Sequence, residues 1–419
     1  MRPRPAVHFT AADGWINDPY GVSWDGERYH LYYQAVPGRV TWAPNCHWGH
    51  ATSTDLVHWN EQPIALVPGP DEVGCWSGSY VPDADGGPVI LYTRVRGEDW
   101  SIGQVVLVEQ RPNSAVWDSE TRDVVIAGPP DALDVRAARD PFVWRDGNGW
   151  KLILGAALNG GTAAALQYSS PDLRNWTYTG VLTSRPADHT DGAWTGALWE
   201  CPQLFPLGPD WVFLVSVWND DVLHYCAAAV GDYDGTRFTA RHWQRLTYGS
   251  CAYAMSTFLD AEGRRCVLSW LREEPRNDPR RHGYAGAHSV AAVLTLIDGA
   301  LVLEPHPNLT AATITATVAH AQAASYPAAA ALAIDLTEHQ SLWIADTDGH
   351  RAHLERSPNA ITVQRPDRAP ETLPTGAGPA PVLLDADLIE IFGSSAYGAY
   401  RIRPATGATV LSGTESAPT

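Results

Sequence analysis

Three acidic residues of the sequence share one local pattern, which suggests that they act together. Asp18 lies one residue before the stretch YGVSW, Asp140 lies directly before PFVW, and Glu200 lies one residue before PQLF. Carboxyl groups that meet at one site can carry out glycoside hydrolysis, because one attacks or positions water while another protonates the leaving oxygen. A third can hold sugar hydroxyls and stabilise the charge of the transition state. The pattern therefore indicates a three-carboxylate sugar site.

Each acid also has a simpler interpretation when it is considered alone. Asp18 before Pro19 fits an ordinary turn, Asp140 fits a turn with a surface ion pair, and Glu200 fits an exposed charge at a strand end. A joint role is favoured because all three acids occur in the same phase of a longer repeat.

A hairpin-like unit recurs along the first 300 residues and defines that phase. Each unit has an apolar strand, a turn with glycine and a second apolar strand; the five units cover 20–34, 80–93, 141–156, 202–217 and 256–270. Their starts are 60, 61, 61 and 54 residues apart, and STDLVHW at 53–59 returns as SPDLRNW at 170–176. This period predicts an all-β fold with a five-bladed β-propeller over 1–303. Unrelated hairpins in one large sandwich are the alternative.

The propeller would also explain how distant acids meet. The first strand of each blade lines the central channel, so we expect Asp18, Asp140 and Glu200 to start the first strands of blades one, three and four and to converge there. After the propeller, the Ala-rich stretch 304–325 is predicted to be a linker. Short alternating runs over 326–419 predict a small C-terminal β-sandwich.

Composition narrows the possible partners. The 419 residues are 45% hydrophobic and carry a net charge of −18, which argues against nucleic acid and anionic membranes. The 18 Trp and 16 Tyr suit a carbohydrate partner, because flat rings stack on sugar C–H faces. Six scattered cysteines without a CxxC pair speak against structural zinc and suit a reducing compartment. No cofactor is predicted, and the absence of an apolar leader predicts a cytoplasmic location.

Several stretches together resemble glycoside hydrolase family 32, the family of invertases, levanases, inulinases and related fructosyltransferases. The three acidic motifs are WINDPYG (15–21), ARDPFVW (138–144) and LWECPQL (198–204), and WGHATSTDLVHWNEQPIAL (48–66) and LLDADLIEIFG (383–393) extend the likeness over nearly the whole chain. The resemblance implies a five-bladed propeller followed by a sandwich. It also implies a retaining mechanism, in which the two reacting carboxyl groups lie about 5–5.5 Å apart.

The resemblance further implies a role for each acid. Asp18 would attack the anomeric C2 of a β-D-fructofuranosyl unit, and Glu200 would act as the acid and then as the base. Asp140 would stay ionised and hold fructose hydroxyls, oriented by Arg139, while Cys201 is a candidate for keeping Glu200 protonated. The other residues predicted to contact the sugar are Trp15, Asn17, Tyr20, Gln34, Trp42, Trp76, Ser77, Tyr253 and Trp270.

Three positions depart from the family pattern. Tyr20 replaces an Asn at the end of the motif predicted to face the substrate, Cys251 replaces an Asp near Tyr253, and Trp76 replaces a Phe. The first two changes predict an altered choice of leaving group and keep fructosyl transfer open. An arabinan-type glycosidase and a non-catalytic sugar-binding propeller are further alternatives. The chain length of the substrate and the oligomeric state are not predicted.

Overall fold

Short strands joined by tight turns form nearly all of the molecule. The computed structural model describes residues 4–111, 117–274, 282–316, 323–337, 340–366, 368–394 and 396–413, with the backbone alone for 118–121. Within these ranges the chain folds into a five-bladed β-propeller followed by a β-sandwich, as the sequence predicted. One 3-10 helix, Pro307–Ala312, follows the last blade. Among the described residues, no helix combines the length and apolarity that a membrane crossing needs.

Each blade is an antiparallel sheet of four main strands, numbered here in chain order. Blade one contains β1 (Gly14–Trp24), β2 (Tyr29–Val36), β3 (His47–Ser53) and β4 (Trp59–Leu66), and blade two contains β5 (Gly74–Val81), β6 (Val89–Val95), β7 (Gln104–Gln110) and β8 (Trp117–Ile126). Blade three contains β9 (Val135–Asp146), β10 (Gly149–Leu158), β11 (Thr162–Ser170) and β12 (Thr177–Pro186), and blade four contains β13 (Leu198–Leu207), β14 (Asp210–Asn219), β15 (Val222–Tyr233) and β16 (Phe238–Arg245). Blade five contains β18 (Ala252–Leu259), β19 (Arg265–Leu271), β22 (Ala292–Ile297) and β23 (Ala300–Pro305). Two short strands, β20 (Tyr284–Ala285) and β21 (Ala287–His288), pair with β1 and β19.

The first strands of the blades surround the central axis. Strand β1 contacts β5 and β18, β9 contacts β5 and β13, and β13 contacts β18, so the five strands form a closed ring. The five hairpins predicted from the sequence are the first two strands of each blade. The two SxDLxxW elements join the third strand to the fourth in blades one and three. Their leucines, Leu56 and Leu173, have φ of 65° and 66°.

Every first strand carries a β-bulge at the same level, with one residue more than the second strand opposite it. The extra residues fall between Ile16 and Pro19, Trp76 and Gly78, Arg139 and Phe142, Glu200 and Gln203, and Tyr253 and Ser256. A bulge breaks the ladder and redirects side chains locally. Proline fits these positions because a broken ladder needs no N–H there, which accounts for the Asp-Pro and Cys-Pro pairs.

The bulges correct one detail of the prediction. The acids do not start their strands: β1 begins at Gly14 and β9 at Val135, so Asp18 and Asp140 lie well inside them. Glu200 is the third residue of β13. Their convergence comes from the five bulges that lie at one level of the channel, not from the beginnings of the strands.

The C-terminal sandwich has two six-stranded sheets. One contains β24 (Ile314–Thr315), β26 (Leu332–Leu336), β31 (Ala380–Asp385), β32 (Leu388–Phe392) and β33 (Tyr397–Arg401), and it is extended by β17 (Thr247–Tyr248) from the propeller. The other contains β25 (Ala323–Tyr326), β27 (Ser341–Asp346), β28 (Gly349–Ser357), β29 (Ala360–Gln364), β30 (Glu371–Pro374) and β34 (Thr409–Ser412). Strand β24 falls within the stretch 304–325 and β25 begins in it, and the domain boundaries stay predictions.

An apolar layer and a buried ion-pair cluster join the sandwich to the propeller. Leu383, Phe392 and Tyr397 of the sandwich pack in one cluster with Leu271 and Leu303 of blade five. Near the N-terminus, the backbone N–H groups of residues 6–8 donate to the carboxylate of Asp385 in the sandwich. The sandwich therefore supports blade five from outside the ring, away from the channel.

Candidate active site

A cavity of about 720 Å³ opens at the level of the five bulges. All five blades contribute to its wall, and it includes the three acids Asp18, Asp140 and Glu200. Of the other predicted contact residues, the cavity is lined by Trp15, Asn17, Gln34, Trp42, Trp76, Ser77, Arg139, Tyr253 and Trp270. A cavity of this size lies well within the range of small-molecule sites, roughly 300–1,000 Å³.

Asp18 is held by hydrogen bonds on both of its oxygens. Ser77 Oγ donates to Oδ2 at 2.7 Å, and Asn17 Nδ2 donates to Oδ1 at 3.0 Å. Gln34 Nε2 donates to the same Ser77 oxygen at 2.5 Å, and Trp15 Nε1 donates to Asn17 Oδ1 at 2.9 Å. Burial raises the pKa of Asp18 above its usual value, although the bonds from Ser77 and Asn17 oppose the rise. The network fixes the direction in which the carboxylate faces the cavity.

Asp140 is positioned by hydrogen bonds to the two neighbouring blades. Its own N–H donates to Thr93 Oγ1 at 2.8 Å, and its Oδ2 accepts the backbone N–H of Cys201 at 2.9 Å. The backbone φ of Asp140 is 63°, in the left-handed region that residues other than glycine rarely adopt. Burial raises the pKa of Asp140 to about 7, against the positive charge of Arg139, which lowers it. Near neutral pH, protonated and ionised forms of Asp140 therefore coexist.

Glu200 has a partner on each oxygen. Arg139 contacts Oε1 through Nε at 3.1 Å and Nη2 at 2.8 Å, and Tyr253 donates its hydroxyl to Oε2 at 2.6 Å. These partners come from blades three and five, on either side of Glu200 in blade four. The carboxyl group is thus fixed between its neighbours and faces the same cavity as Asp18 and Asp140.

Indole rings form much of the remaining wall. Trp15 and Trp270 contact edge to face, with ring centroids 5.6 Å apart. Trp42 and Trp76 contact edge to face, with ring centroids 6.0 Å apart, and Trp42 is 43% exposed at the mouth. Such a combination of carboxylates and aromatic faces suits a ligand with both hydroxyls and C–H surfaces.

Comparison with known proteins agrees with this geometry. Residues 8–305, which include the whole propeller, match the glycosyl hydrolases family 32 N-terminal domain. The chain belongs to glycosyl hydrolase family 32. The family resemblance expected from the three acidic motifs is therefore confirmed, and the matched region contains every residue that lines the cavity.

Curated relatives and solved structures of the family are similar along much of the chain. A sucrose-6-phosphate hydrolase from Escherichia coli is 34% identical over 319 residues, which cover 72% of this chain and 64% of that protein. A fructan 6-exohydrolase from Beta vulgaris is 30% identical, covering 70% of this chain and 52% of that protein. The chain thus spans less than two thirds of these relatives. The structure of the family 32 β-fructofuranosidase of Bombyx mori superposes with a TM-score of 0.84 at 26% identity, covering 99% of this chain and 92% of that one.

Arg139 and Cys201, which lie next to Asp140 and Glu200 in sequence, make other contacts than predicted. Arg139 was expected to orient Asp140, but its guanidinium donates to Glu200 Oε1 in the neighbouring blade. Cys201 was expected to act on Glu200, yet its sulfur lies 3.7 Å from Asp18 Oδ2 and 3.8 Å from Asp140 Oδ2. The φ of 47° at Cys201 accounts for this direction.

Tyr20 and Cys251 do not line the cavity that contains the three acids, which corrects the prediction that they alter the choice of leaving group by contact. The bulge at Asn17–Asp18 breaks the alternation of side chains along β1, so the side chain of Tyr20 does not point into the cavity as that of Asp18 does. It packs between blades one and two, with its ring centroid 4.1 Å from that of Trp48. Cys251 is buried between blade five and the sandwich, with its sulfur 3.9 Å from Glu274 Oε1. Neither side chain lines the cavity.

Several wall residues were not predicted from the sequence. They include Trp100, Ser101, Arg136, Trp218, Asp220 and Asp221. A signal for some of them was present, because the loop after the second strand of a blade lies at the same end of the channel as the bulge. Trp42, Trp100 and the turn Asp220–Asp221 all lie in such loops.

Among the residues that the structure describes, one buried group of side chains has the ligand types of a metal site, and it lies outside the cavity. Asp260, Cys266 and His306 come together in blade five. Arg264 reaches into this group: its Nε donates to Asp260 Oδ2 at 2.5 Å, and its Nη2 lies 3.2 Å from His306 Nε2. A guanidinium thus already neutralises the carboxylate, so we assign these residues to the structure of the blade five turn.

Proposed function

We propose that this protein is a retaining glycoside hydrolase that releases β-D-fructofuranosyl units from sucrose or short fructosides. One observation carries the proposal: Asp18, Asp140 and Glu200, from three blades, line a single cavity walled by tryptophan. The relatives named for sucrose 6-phosphate and fructan hydrolysis support the same class of substrate.

In the proposed mechanism, Asp18 is the nucleophile. Hydrogen bonds from Ser77 and Asn17 hold its carboxylate in one orientation, so an oxygen can attack C2 of the fructosyl unit and form a covalent ester. Because these bonds also stabilise the charge of Asp18, they oppose the effect of burial and favour the ionised form that attack needs.

Glu200 is the proposed acid and base. It protonates the oxygen of the departing sugar as the bond to C2 breaks, and then accepts a proton from the water that hydrolyses the ester. Arg139 and Tyr253 hold one oxygen each and so fix the position of the carboxyl group. A carboxyl separation of about 5–5.5 Å between Glu200 and Asp18 stays a prediction of the retaining mechanism.

Asp140 is the proposed stabiliser of the transition state. In its ionised form it would accept hydrogen bonds from fructose hydroxyls while positive charge develops on the ring. The left-handed backbone at Asp140 and the N–H of Cys201 aim its side chain at the cavity. The pKa of about 7 makes this role dependent on pH.

The charge around the cavity favours a neutral substrate over a phosphorylated one. Five carboxylates line the cavity, from Asp18, Asp140, Glu200, Asp220 and Asp221. The guanidinium groups in the wall are those of Arg136 and Arg139, and Arg139 is paired with Glu200. Since like charges repel, we expect a higher kcat/KM for sucrose than for sucrose 6-phosphate.

Product analysis tests the proposal directly. The wild-type protein is expected to release glucose and fructose from sucrose in equal amounts, whereas Asp18→Ala and Glu200→Ala lose that activity. Glu355→Ala, an exposed acid on the sandwich, is the matched control and should behave as wild type. An aryl β-D-fructofuranoside, whose leaving group needs little protonation, should partly rescue Glu200→Ala but not Asp18→Ala. An inactive wild type would contradict the proposal, and an excess of free glucose over fructose would indicate transfer.

A further inference from the structure

We propose that Trp100 binds the leaving group of the substrate and so determines which leaving groups the enzyme accepts. The inference rests on the proposed fructosidase function and adds a residue to it. Trp100 lies in the loop between β6 and β7 of blade two, and it lines the same cavity as the three acids.

Trp100 completes a cluster of three indole rings. Its ring centroid lies 6.4 Å from that of Trp42 and 6.3 Å from that of Trp76, and the planes of the rings are inclined by 65° and 68°. Each ring therefore supports the edges of the other two, and the cluster forms a continuous apolar wall. The three residues come from three separate segments of blades one and two, which meet only in the folded chain.

Two of the three indole N–H groups of this wall already have backbone partners. Trp100 Nε1 donates to the carbonyl of Gly97 at 2.8 Å, and Trp76 Nε1 donates to the carbonyl of Pro44 at 2.9 Å. These bonds fix the orientation of both rings and turn the polar edges toward the backbone. What remains for a ligand is the flat apolar surface, which suits the C–H face of a sugar ring.

The loop of Trp100 is fixed relative to the catalytic strand of blade three. The N–H of Ala138 donates to Ser101 O at 3.0 Å, and the N–H of Gly103 donates to Ala138 O at 2.9 Å. Ala138 is two residues from Asp140 in β9, so the position of the indole ring is tied to that of the acid. A rigid ring at this place can orient a bound sugar relative to the reacting atoms.

The contacts of the three rings indicate where the two parts of the substrate bind. Trp76 precedes Ser77, which holds Asp18, so Trp76 belongs to the end where the fructosyl unit reacts. Trp100 contacts both Trp76 and Trp42, and Trp42 is exposed at the mouth of the cavity. A volume of about 720 Å³ is large for one five-membered ring. The leaving group therefore has space beside Trp100, on the path out of the cavity.

Two substrates with the same fructosyl unit test this assignment. Sucrose has a glucosyl leaving group that can stack on Trp100, and methyl β-D-fructofuranoside has a leaving group too small to do so. We expect Trp100→Ala to lower kcat/KM for sucrose by about tenfold, the effect of losing one aromatic stacking contact. The same change should alter kcat/KM for the methyl fructoside by less than about twofold. Trp100→Phe, which keeps a flat ring, should restore most of the activity on sucrose.

Controls separate this inference from a loss of folding and from a failure of the proposed function. Trp343→Ala removes a partly exposed tryptophan of the sandwich and should leave both substrates unaffected, and unfolding midpoints of all variants check their stability. If Trp100→Ala lowers kcat/KM equally for both substrates, or for neither, the leaving-group assignment is wrong while the proposed function stands. If the wild type cleaves neither fructoside, the proposed function is wrong and the assignment fails with it.

Discussion

Ser77 and Asp18 occupy the same bulge position in neighbouring blades, and Ser77 Oγ donates a hydrogen bond of 2.7 Å to Asp18 Oδ2. Each first strand has an extra residue at this level, so the side chain of Ser77 in blade two can reach Asp18 in blade one. The proposed nucleophile is consequently positioned by the symmetry of the propeller and not by its own strand alone. The same relationship links Asp140 in blade three to the backbone N–H of Cys201 in blade four.

Replacement of Ser77 tests how much this contact contributes. Ser77→Ala removes a hydrogen bond to a charged group, which typically contributes about 1.5–3 kcal/mol. We expect kcat/KM for sucrose to fall by at least about tenfold. The bond also lowers the pKa of Asp18, so its loss should raise that pKa further and shift the acid side of the pH profile to higher pH.

Steady-state kinetics on Ser77→Ala across pH measure both effects. Ser357→Ala on the exposed surface of the sandwich is the control for the substitution itself and should match wild type. An unchanged pH profile together with unchanged kcat/KM would mean that Ser77 does not influence Asp18.

The pH dependence of the wild-type enzyme should reflect the raised pKa values of the acids. Asp140 has a pKa of about 7, and the pKa of Asp18 is also raised by burial. Both residues act in their ionised forms, and both become protonated as the pH falls. We therefore expect kcat/KM for sucrose to decrease below a pH of about 7, by about tenfold for each further unit.

Initial rates between pH 4 and pH 9, at sucrose concentrations well below KM, measure this profile. Tryptophan fluorescence over the same range controls for acid unfolding. Activity that stays constant down to pH 5 would show that the ionised forms are more stable than burial alone suggests.

Much of this architecture could be predicted from the sequence, and the exceptions have a common physical origin. The repeat period identified the five inner hairpins, because alternation and turn chemistry are local signals. The family resemblance predicts that Tyr20 faces the substrate, and in a regular strand its side chain would share a face with that of Asp18. The bulge at Asn17–Asp18 changes that direction, and a bulge depends on the pairing of two strands, which one strand's sequence does not reveal.

Residues from separate loops were missed for a related reason. Trp100 and the Asp220–Asp221 turn lie in no acidic motif, and they reach the cavity only because second-strand loops gather at one end of the channel. In a blade repeat of known phase, those loops could be located in advance. The identity of the side chain that faces inward still depends on the loop conformation, such as the φ of 49° and 61° at Asp220 and Asp221.

Tyr253 offers a test of how Glu200 is positioned. Its hydroxyl donates to Glu200 Oε2 at 2.6 Å, and Tyr253→Phe removes that bond with little change in packing. We expect kcat for sucrose to fall by about tenfold or more, while KM changes little. Tyr400→Phe is the matched control, because the buried hydroxyl of Tyr400 has no hydrogen-bond partner among the described residues. Equal kinetics for the two variants would contradict a positioning role for Tyr253.

A buried histidine at the boundary between propeller and sandwich should control stability. His8 Nδ1 lies 2.8 Å from Asp385 and Nε2 lies 2.9 Å from Glu390, and all three side chains are inaccessible to solvent. Burial alone would lower the pKa of His8, but the two carboxylates outweigh it and raise the pKa to about 10. His8→Ala leaves two buried carboxylates without their cation, which should reduce the free energy of unfolding by about 3–5 kcal/mol.

The sign of the pH effect follows from the raised pKa of His8, which is near 6.5 in the unfolded chain and about 10 in the folded one. The stabilisation by His8 is complete below pH 6.5, decreases as the pH rises, and is lost above about pH 10. Urea unfolding of wild type and His8→Ala at pH 6 and pH 10 should therefore give a large difference at pH 6 and a smaller one at pH 10. His58→Ala, which removes an exposed histidine paired with Asp55, should have little effect at either pH. An equal loss for His8→Ala at both values would mean that His8 is neutral in the folded protein and contributes through packing alone.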